Sequence, residues 1–285
     1  MALKPIDYRS DVHNDWCPGC GNFGILQALT SALIQLEIAP HKVLMVSGIG
    51  QAGKLPHFTT CHVLNELHGR AIPAAIGAKI VNPELTVIAV GGDGDGYGEG
   101  GNHFINAVRR NHDITYLVHN NQIYGLTKGQ ASPTSDFGFV TKTTPLGADI
   151  PLNPIALALA SNASFIARGF AGDAKHLSTL IVQGLQHHGF SLIDILQPCV
   201  SFNHVNTYEW YRQRVYKLDE KGYDPSDKMA AFQKAQEWDD NIPIGVIYKE
   251  ERSTYEERLP SFNKKPIVWH ELDPLSVDKL LDEFI

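Results

Sequence analysis

Apolar residues recur at helical spacing through residues 23–36, where Phe23, Leu26, Leu29, Leu33 and Leu36 mark one face. Residues 42–47 (KVLMVS) then form a short apolar run that stops at Gly48, which reads as a buried strand. A helix follows over 71–81, with Pro73 tolerated in its first turn, and a second buried strand over 85–90 (LTVIAV). The same reading gives a helix over 102–110 with Asn102 as candidate cap and a strand over 114–119. It goes on with helix 154–160, strand 165–167, helix 174–186 and strand 192–196. Strands that are apolar throughout and alternate with helices predict an α/β fold, a doubly wound, mostly parallel sheet covered on both faces.

Ligands of such sheets lie beyond the carboxyl ends of the strands. The unusual segments of this chain fall there: SGIG after the first strand, GGDGDG after the second, NNQIYG after the third and QPCVSFN after the last. Past residue 203 the character changes to mixed aromatic and charged residues (TYEWYRQRVYKLDEKGYD), with a helix over 227–237 and a strand over 244–249. The expected division is therefore a domain over 1–202 and an arm, packed on the core or on a partner, over 203–285.

Composition narrows the function. Of 285 residues, 43% are hydrophobic and 19% charged, ordinary globular values. The formal charge of −7, without a basic run, argues against a nucleic-acid partner. No apolar stretch approaches membrane-spanning length, and MALKPIDYRSD lacks the apolar core of a signal peptide. Four Cys are too few for a disulfide scaffold, so the expected compartment is the reducing cytosol.

The loop GGDGDGYGEGG (91–101) stands between a strand and a helix, where bare backbone N–H groups and a helix N-terminus favour phosphate. A Rossmann turn would look similar. Asp93, Asp95 and Glu99, however, place carboxylates where a pyrophosphate would sit, and no Walker lysine offsets them. A divalent cation such as Mg²⁺ resolves that conflict by joining carboxylate, carbonyl and phosphate oxygens. A parallel neighbouring strand would bring Asn120–Asn121 beside the loop, where Asn121 and a carbonyl near Ile123 can complete the ligand set. Cys17-Pro-Gly-Cys20 alone is compatible with a redox dithiol, half a zinc site or half an iron–sulfur site. It precedes a helix rather than following a strand, which is not the thioredoxin arrangement.

GDGD followed by a helix, a strand and NN resembles the diphosphate-binding motif of thiamine diphosphate enzymes. The stretch GGNHFINAVRRNHDITYLVHNNQIYGLTKGQASPTS, with WCPGCGN near residue 16 and LQPCVSFN near residue 202, resembles the β subunits of 2-oxoacid:ferredoxin oxidoreductases. The resemblance implies a Mg²⁺ held by Asp93, Asn121 and the Ile123 carbonyl, with Gly92, Gly94 and Asp95 along the diphosphate. It assigns Gly48, Ile49, Gly50, His68, Gly125 and Leu126 to the thiamine cofactor as well. Lys54, Lys128 and His68 become the candidates for substrate and catalysis, the two lysines facing a 2-oxoacid carboxylate, although most lysines are simply solvated. It also implies a [4Fe–4S] cluster on Cys17, Cys20 and Cys199. Gln51 stands after SGIG where many relatives carry Cys, and Cys61, the remaining cysteine, is the expected fourth ligand.

The implied activity is oxidative decarboxylation of a 2-oxoacid, pyruvate or 2-oxoglutarate, to acyl-coenzyme A, with electrons leaving through the cluster to ferredoxin. The chain holds neither a carboxylate for the aminopyrimidine nor further cysteine clusters, so an α subunit and an external ferredoxin are the expected partners. A non-oxidative thiamine diphosphate decarboxylase subunit would share GDG and NN but need no cluster. A nicotinamide-dependent enzyme would bind NAD without metal, and a scaffold subunit would bind no cofactor.

Overall fold

A computed structural model of the chain describes residues 2–259, 266–269 and 281–282. Its strands are β1 (Val43–Ser47), β2 (His62–Asn65), β3 (Thr86–Gly92), β4 (Thr115–Asn120), β5 (Ile123–Tyr124), β6 (Gln130–Ala131), β7 (Phe165–Phe170), β8 (Ser191–Leu196), β9 (Val215–Lys217) and β10 (Ile242–Lys249). Its helices are α1 (Asn22–Gln35), α2 (Ala71–Val81), α3 (Gly101–Arg110), α4 (Pro154–Ala160), α5 (Ala174–Gln186), α6 (Tyr208–Arg212) and α7 (Lys228–Gln236). Eight strands form one sheet in the order β2-β1-β3-β4-β8-β7-β10-β9, and β5 and β6 make a separate small hairpin. Only β10 runs against its neighbour, β7; the other pairings in the sheet are parallel.

The central strands are buried on both faces, which is why their sequences are apolar rather than alternating. Val87 and Ala89 of β3 face a core with α2, α3, α4 and α7. Ile88 and Val90 face the opposite core, with α1 and α5. The sheet is thus wound on both sides, as the pattern predicts.

Several local readings change. Asn102 does not cap α3: Gly100 holds that position, and Asn102 lies inside the first turn, bonded to Asn106 Nδ2 at 3.1 Å. The strand expected over 165–167 continues to Phe170. β2 was not anticipated, because all four of its residues are exposed on the sheet edge and carry no burial pattern. Beyond residue 203, β10 and β9 add two strands to the main sheet, so this segment shares the sheet of the preceding residues. Phe170, Leu196, Tyr211, Ile242 and Ile244 form a small core where it joins.

Candidate functional site

Strands β1, β3, β4 and β8 are consecutive in the sheet, so the four loops after them converge at one edge. A cleft there is lined by Ile49, Gly50, Gln51, His68, Gly92, Asp93, Gly94, Asp95, Asn121, Ile123, Gly125 and Leu126 among others. It gathers most of the residues the sequence assigns to a diphosphate and its metal. Gly48 lies just behind: a Cβ there would meet Asp95 Oδ2 at 2.0 Å, so only glycine permits the close approach. Gly94 is under the same constraint from the Tyr124 ring, 2.1 Å from where its Cβ would be. Glu99 is exposed and outside the cleft, so two of the three loop carboxylates come together.

Asp93 and Asp95 have different surroundings. One oxygen of Asp93, Oδ2, receives the Ser132 hydroxyl at 2.5 Å and lies 2.7 Å from Thr134 Oγ1. Burial pushes the Asp93 carboxyl up to about 6, against the pull of those two hydroxyls and of backbone N–H groups. Among the described residues Asp93 has no cationic partner; a desolvated carboxylate of this kind, with its second oxygen free of side-chain donors, fits a divalent cation. The Asn121 carboxamide oxygen and the Ile123 carbonyl stand in the same cleft, and Asn121 Oδ1 accepts the Ile123 N–H at 3.0 Å. An amide oxygen keeps a second lone pair for a metal.

Asp95 instead ties loops together. Its Oδ1 accepts the N–H groups of Ile49 and Gly69, each at 2.9 Å, and lies 3.6 Å from His68 Nδ1. Burial raises its pKa, and those backbone donors and His68 oppose the rise. The segment Gly94–Glu99 makes a turn of π-helix, with the Gly100 N–H reaching back to Asp95 O at 2.8 Å. Such turns recur at functional sites because they re-aim groups without breaking the chain. The Asn-Asn-Gln turn is also unusual: Gln122 has φ of 58°. Its side chain holds it there, donating to Thr134 O and Asp136 Oδ1 at 2.9 Å and accepting from Tyr211 at 2.8 Å.

A second, smaller cavity adjoins the cleft. It is lined by Cys17, Cys20, Cys199 and Gln51, and the two spaces share Gln51, Asn121 and Gly125 as a common wall. Burial pushes the Cys20 thiol up to about 11, and Cys199 and Cys17 add to the rise. Gln197 Nε2 donates toward Cys20 Sγ at 3.4 Å. Among the described residues no three His, Cys, Asp or Glu side chains crowd around a single point as a mononuclear metal requires. A four-iron cluster spreads its thiolates around a larger body.

The structure does not bring Cys61 to this cavity. It is 7% exposed, in an apolar core with Tyr8, Trp16, Phe58 and Leu55, at the amino end of β2, whose first residue pairs with Leu44 near the start of β1. The turns of Ala52–Phe58 carry the chain away from the strand ends before residue 61 is reached. The two lysines are also outside the cleft lining. Lys54 pairs with Asp15 at 2.8 Å, and Lys128 is exposed, just past the Leu126–Thr127 rim, in a left-handed conformation (φ 75°).

A buried network behind Asp93 was not legible in the sequence. Thr134 Oγ1 is 2.9 Å from Asn120 Oδ1, Asn120 Nδ2 donates to Asp194 Oδ1 at 3.1 Å, and Tyr97 donates to the same oxygen at 2.9 Å. Asp194 Oδ2 lies 3.6 Å from Arg168 Nε. The bonded pairs are 14 to 97 positions apart, and no local pattern links them.

Comparison with known proteins agrees with this geometry. The profile of the thiamine pyrophosphate enzyme C-terminal TPP binding domain matches residues 44–195. The profile of the C-terminal part of the pyruvate ferredoxin oxidoreductase beta subunit matches residues 199–264. The chain is 50% identical over 273 residues to the 2-oxoacid:ferredoxin oxidoreductase subunit beta of Saccharolobus solfataricus, covering 89% of each chain. It is 46% identical over 276 residues to 2-oxoacid:ferredoxin oxidoreductase 1, subunit beta, of Aeropyrum pernix, covering 92% of this chain and 87% of that one. A solved structure is similar over 99% of this chain and 96% of its own, with a TM-score of 0.90 and 37% identity. It is a 2-oxoglutarate:ferredoxin oxidoreductase from Magnetococcus marinus with 2-oxoglutarate, coenzyme A and succinyl-CoA bound.

Proposed function

The chain belongs to the β subunits of the 2-oxoacid:ferredoxin oxidoreductases, and from that premise we propose that its cleft holds thiamine diphosphate through Mg²⁺ and its cysteine cavity a [4Fe–4S] cluster. The observation that carries this reading is the shared wall of Gln51, Asn121 and Gly125 between the two spaces. A redox centre behind that wall would adjoin the cofactor, which suits an oxidative rather than a simple decarboxylation.

Asp93, Asn121 and the Ile123 carbonyl would hold the Mg²⁺. Gly92 and Gly94 leave backbone exposed to the diphosphate. Asp95 fixes the Gly48–Gly50 and His68–Gly69 loops around it, and His68 lines the cleft. Thiamine diphosphate, when bound, supplies the electron sink for loss of CO₂ from the 2-oxoacid. Lys128, exposed just past Leu126 and Thr127, would meet a substrate carboxylate. Lys54 can join it only by leaving Asp15.

The carboxylates lining the cleft are Asp93 and Asp95, both at the diphosphate end. An α subunit would therefore supply the group facing the aminopyrimidine, and the described residues past 203 would contribute to that contact. Coenzyme A would accept the acyl group and ferredoxin the electrons. Four free cysteines and the lack, among the described residues, of a helix long and apolar enough to cross a membrane fit a cytoplasmic enzyme.

The test is anaerobic purification of the complex through this chain, extraction of its cofactors, and assay of coenzyme A-dependent dye reduction with pyruvate and 2-oxoglutarate. Thiamine diphosphate, iron and sulfide should be present, and the chain alone should turn over little. Release of CO₂ without dye reduction, from an iron-free complex, would replace the reading with a non-oxidative decarboxylase.

A further inference from the structure

The cysteine cavity holds three thiols, and most of the other polar groups on its wall are amides. Gln51 Oε1 is buried and has no hydrogen-bond partner among the described residues, although an amide oxygen shut away from water normally finds one. The residue is held in place through its backbone: Trp16 Nε1, next to Cys17, donates to Gln51 O at 2.9 Å. Gln197 also has a buried, unpartnered Oε1 there, but its amide is committed by Nε2 to Pro198 O at 2.9 Å and to Cys20 Sγ. Asn22, a third polar neighbour, presents an unpartnered nitrogen, which cannot ligate as an amide donor. Cys61 is buried in the apolar core at the amino end of β2, the end of the parallel strands away from the loops that follow them.

Resting on the cluster reading given under Proposed function, we infer that Gln51, and not Cys61, faces the fourth corner of the cluster. This chain then supplies three thiolates and one carboxamide oxygen. Such an oxygen is a weaker and harder ligand than thiolate, and iron accepts either. The iron at that corner is consequently the one most easily lost, whereas four cysteines would bind all four alike.

The test uses the anaerobically purified, iron-replete complex, treated with a small excess of ferricyanide in the presence of EDTA. Ferricyanide takes one electron from the cluster, and EDTA takes the ferrous ion released. The wild-type complex should lose about a quarter of its cluster iron and gain the EPR signal of a three-iron cluster. Gln51→Cys should keep its iron and give no such signal. Cys61→Ser and Cys61→Ala should behave as wild type in iron content and EPR, with thermal unfolding followed to confirm that they are folded. Folded Cys61 variants that lose the cluster, or a wild type as resistant as Gln51→Cys, would overturn the assignment. A wild-type complex that retains thiamine diphosphate but binds no iron after reconstitution would overturn the cluster reading itself.

Discussion

The Asp93 carboxylate shows how far a single residue depends on its neighbours. Ser132 and Thr134 both address Oδ2, and this fixes the plane of the carboxylate and leaves Oδ1 without a side-chain donor. A hydrogen bond to a charged acceptor contributes about 1.5–3 kcal/mol. Ser132→Ala or Thr134→Val should therefore weaken Mg²⁺-dependent binding of thiamine diphosphate by roughly tenfold or more, read by calorimetric titration of the apoprotein. Unchanged affinity in both would show that the two hydroxyls do not orient Asp93 toward the metal. Gly94→Ala should be more severe, because the new methyl meets the Tyr124 ring and the overpacking costs about 1–3 kcal/mol. Loss of cofactor binding and a lowered unfolding midpoint are the expected readouts. The glycines, Asp93 and Asn121 were legible because they sit in one run on either side of a helix. The hydroxyls were not, since Ser132 and Thr134 reach Asp93 only when the β5–β6 hairpin folds back. Cys61 misled for the opposite reason: nearness in sequence to SGIG says nothing about which way the next turn carries the chain.

At the scale of elements, three helices keep their expected bounds. The ranges of α2, α4 and α5 match the pattern because their apolar stripes coincide with burial. Edge strands β2 and β9 lack that coincidence and could not be seen. Neither could the pairing of β7 with β8, which sets Arg168 directly beside Asp194 in register. Both side chains are almost fully buried; desolvation lowers the Arg168 pKa and raises that of Asp194, each partly restored by the other. Asp194→Leu leaves a buried guanidinium without its counter-charge and should cost about 3–5 kcal/mol. Adding Arg168→Met should recover much of that loss, because the exposed penalty is the unpaired charge rather than the missing bridge. Urea unfolding of the two variants measures it; equal losses in both would assign the effect to packing.

For the whole molecule, two buried histidines contribute to the loss of stability in acid. Burial holds His119 down to about 3 and also lowers His187. Both are neutral in the fold, with Nδ1 of His119 against Asn22 Oδ1 and Nε2 of His187 against Ser164 Oγ. In the unfolded chain they take up protons below about pH 6.5. The unfolded state therefore binds more protons, and stability rises with pH across that interval. It is complete above the ordinary histidine pKa and is lost as pH falls from there toward 3, by at most about 1.4 kcal/mol per pH unit for His119. Between pH 7 and pH 4 the unfolding midpoint of His119→Asn should fall less than that of the wild type.

The cysteine cavity also has a history in time. Cys17 and Cys20 are synthesised before Cys199, which follows only after β8 has been made. At ordinary rates of synthesis, the roughly 180 residues between Cys20 and Cys199 take about 9–36 s to translate. Throughout that interval the nascent chain carries an unpaired CxxC with no cavity to shelter it. Any cargo destined for the three thiols must wait until β8 and Cys199 have been made, and the exposed pair is open to scavenging metals and oxidants in the meantime.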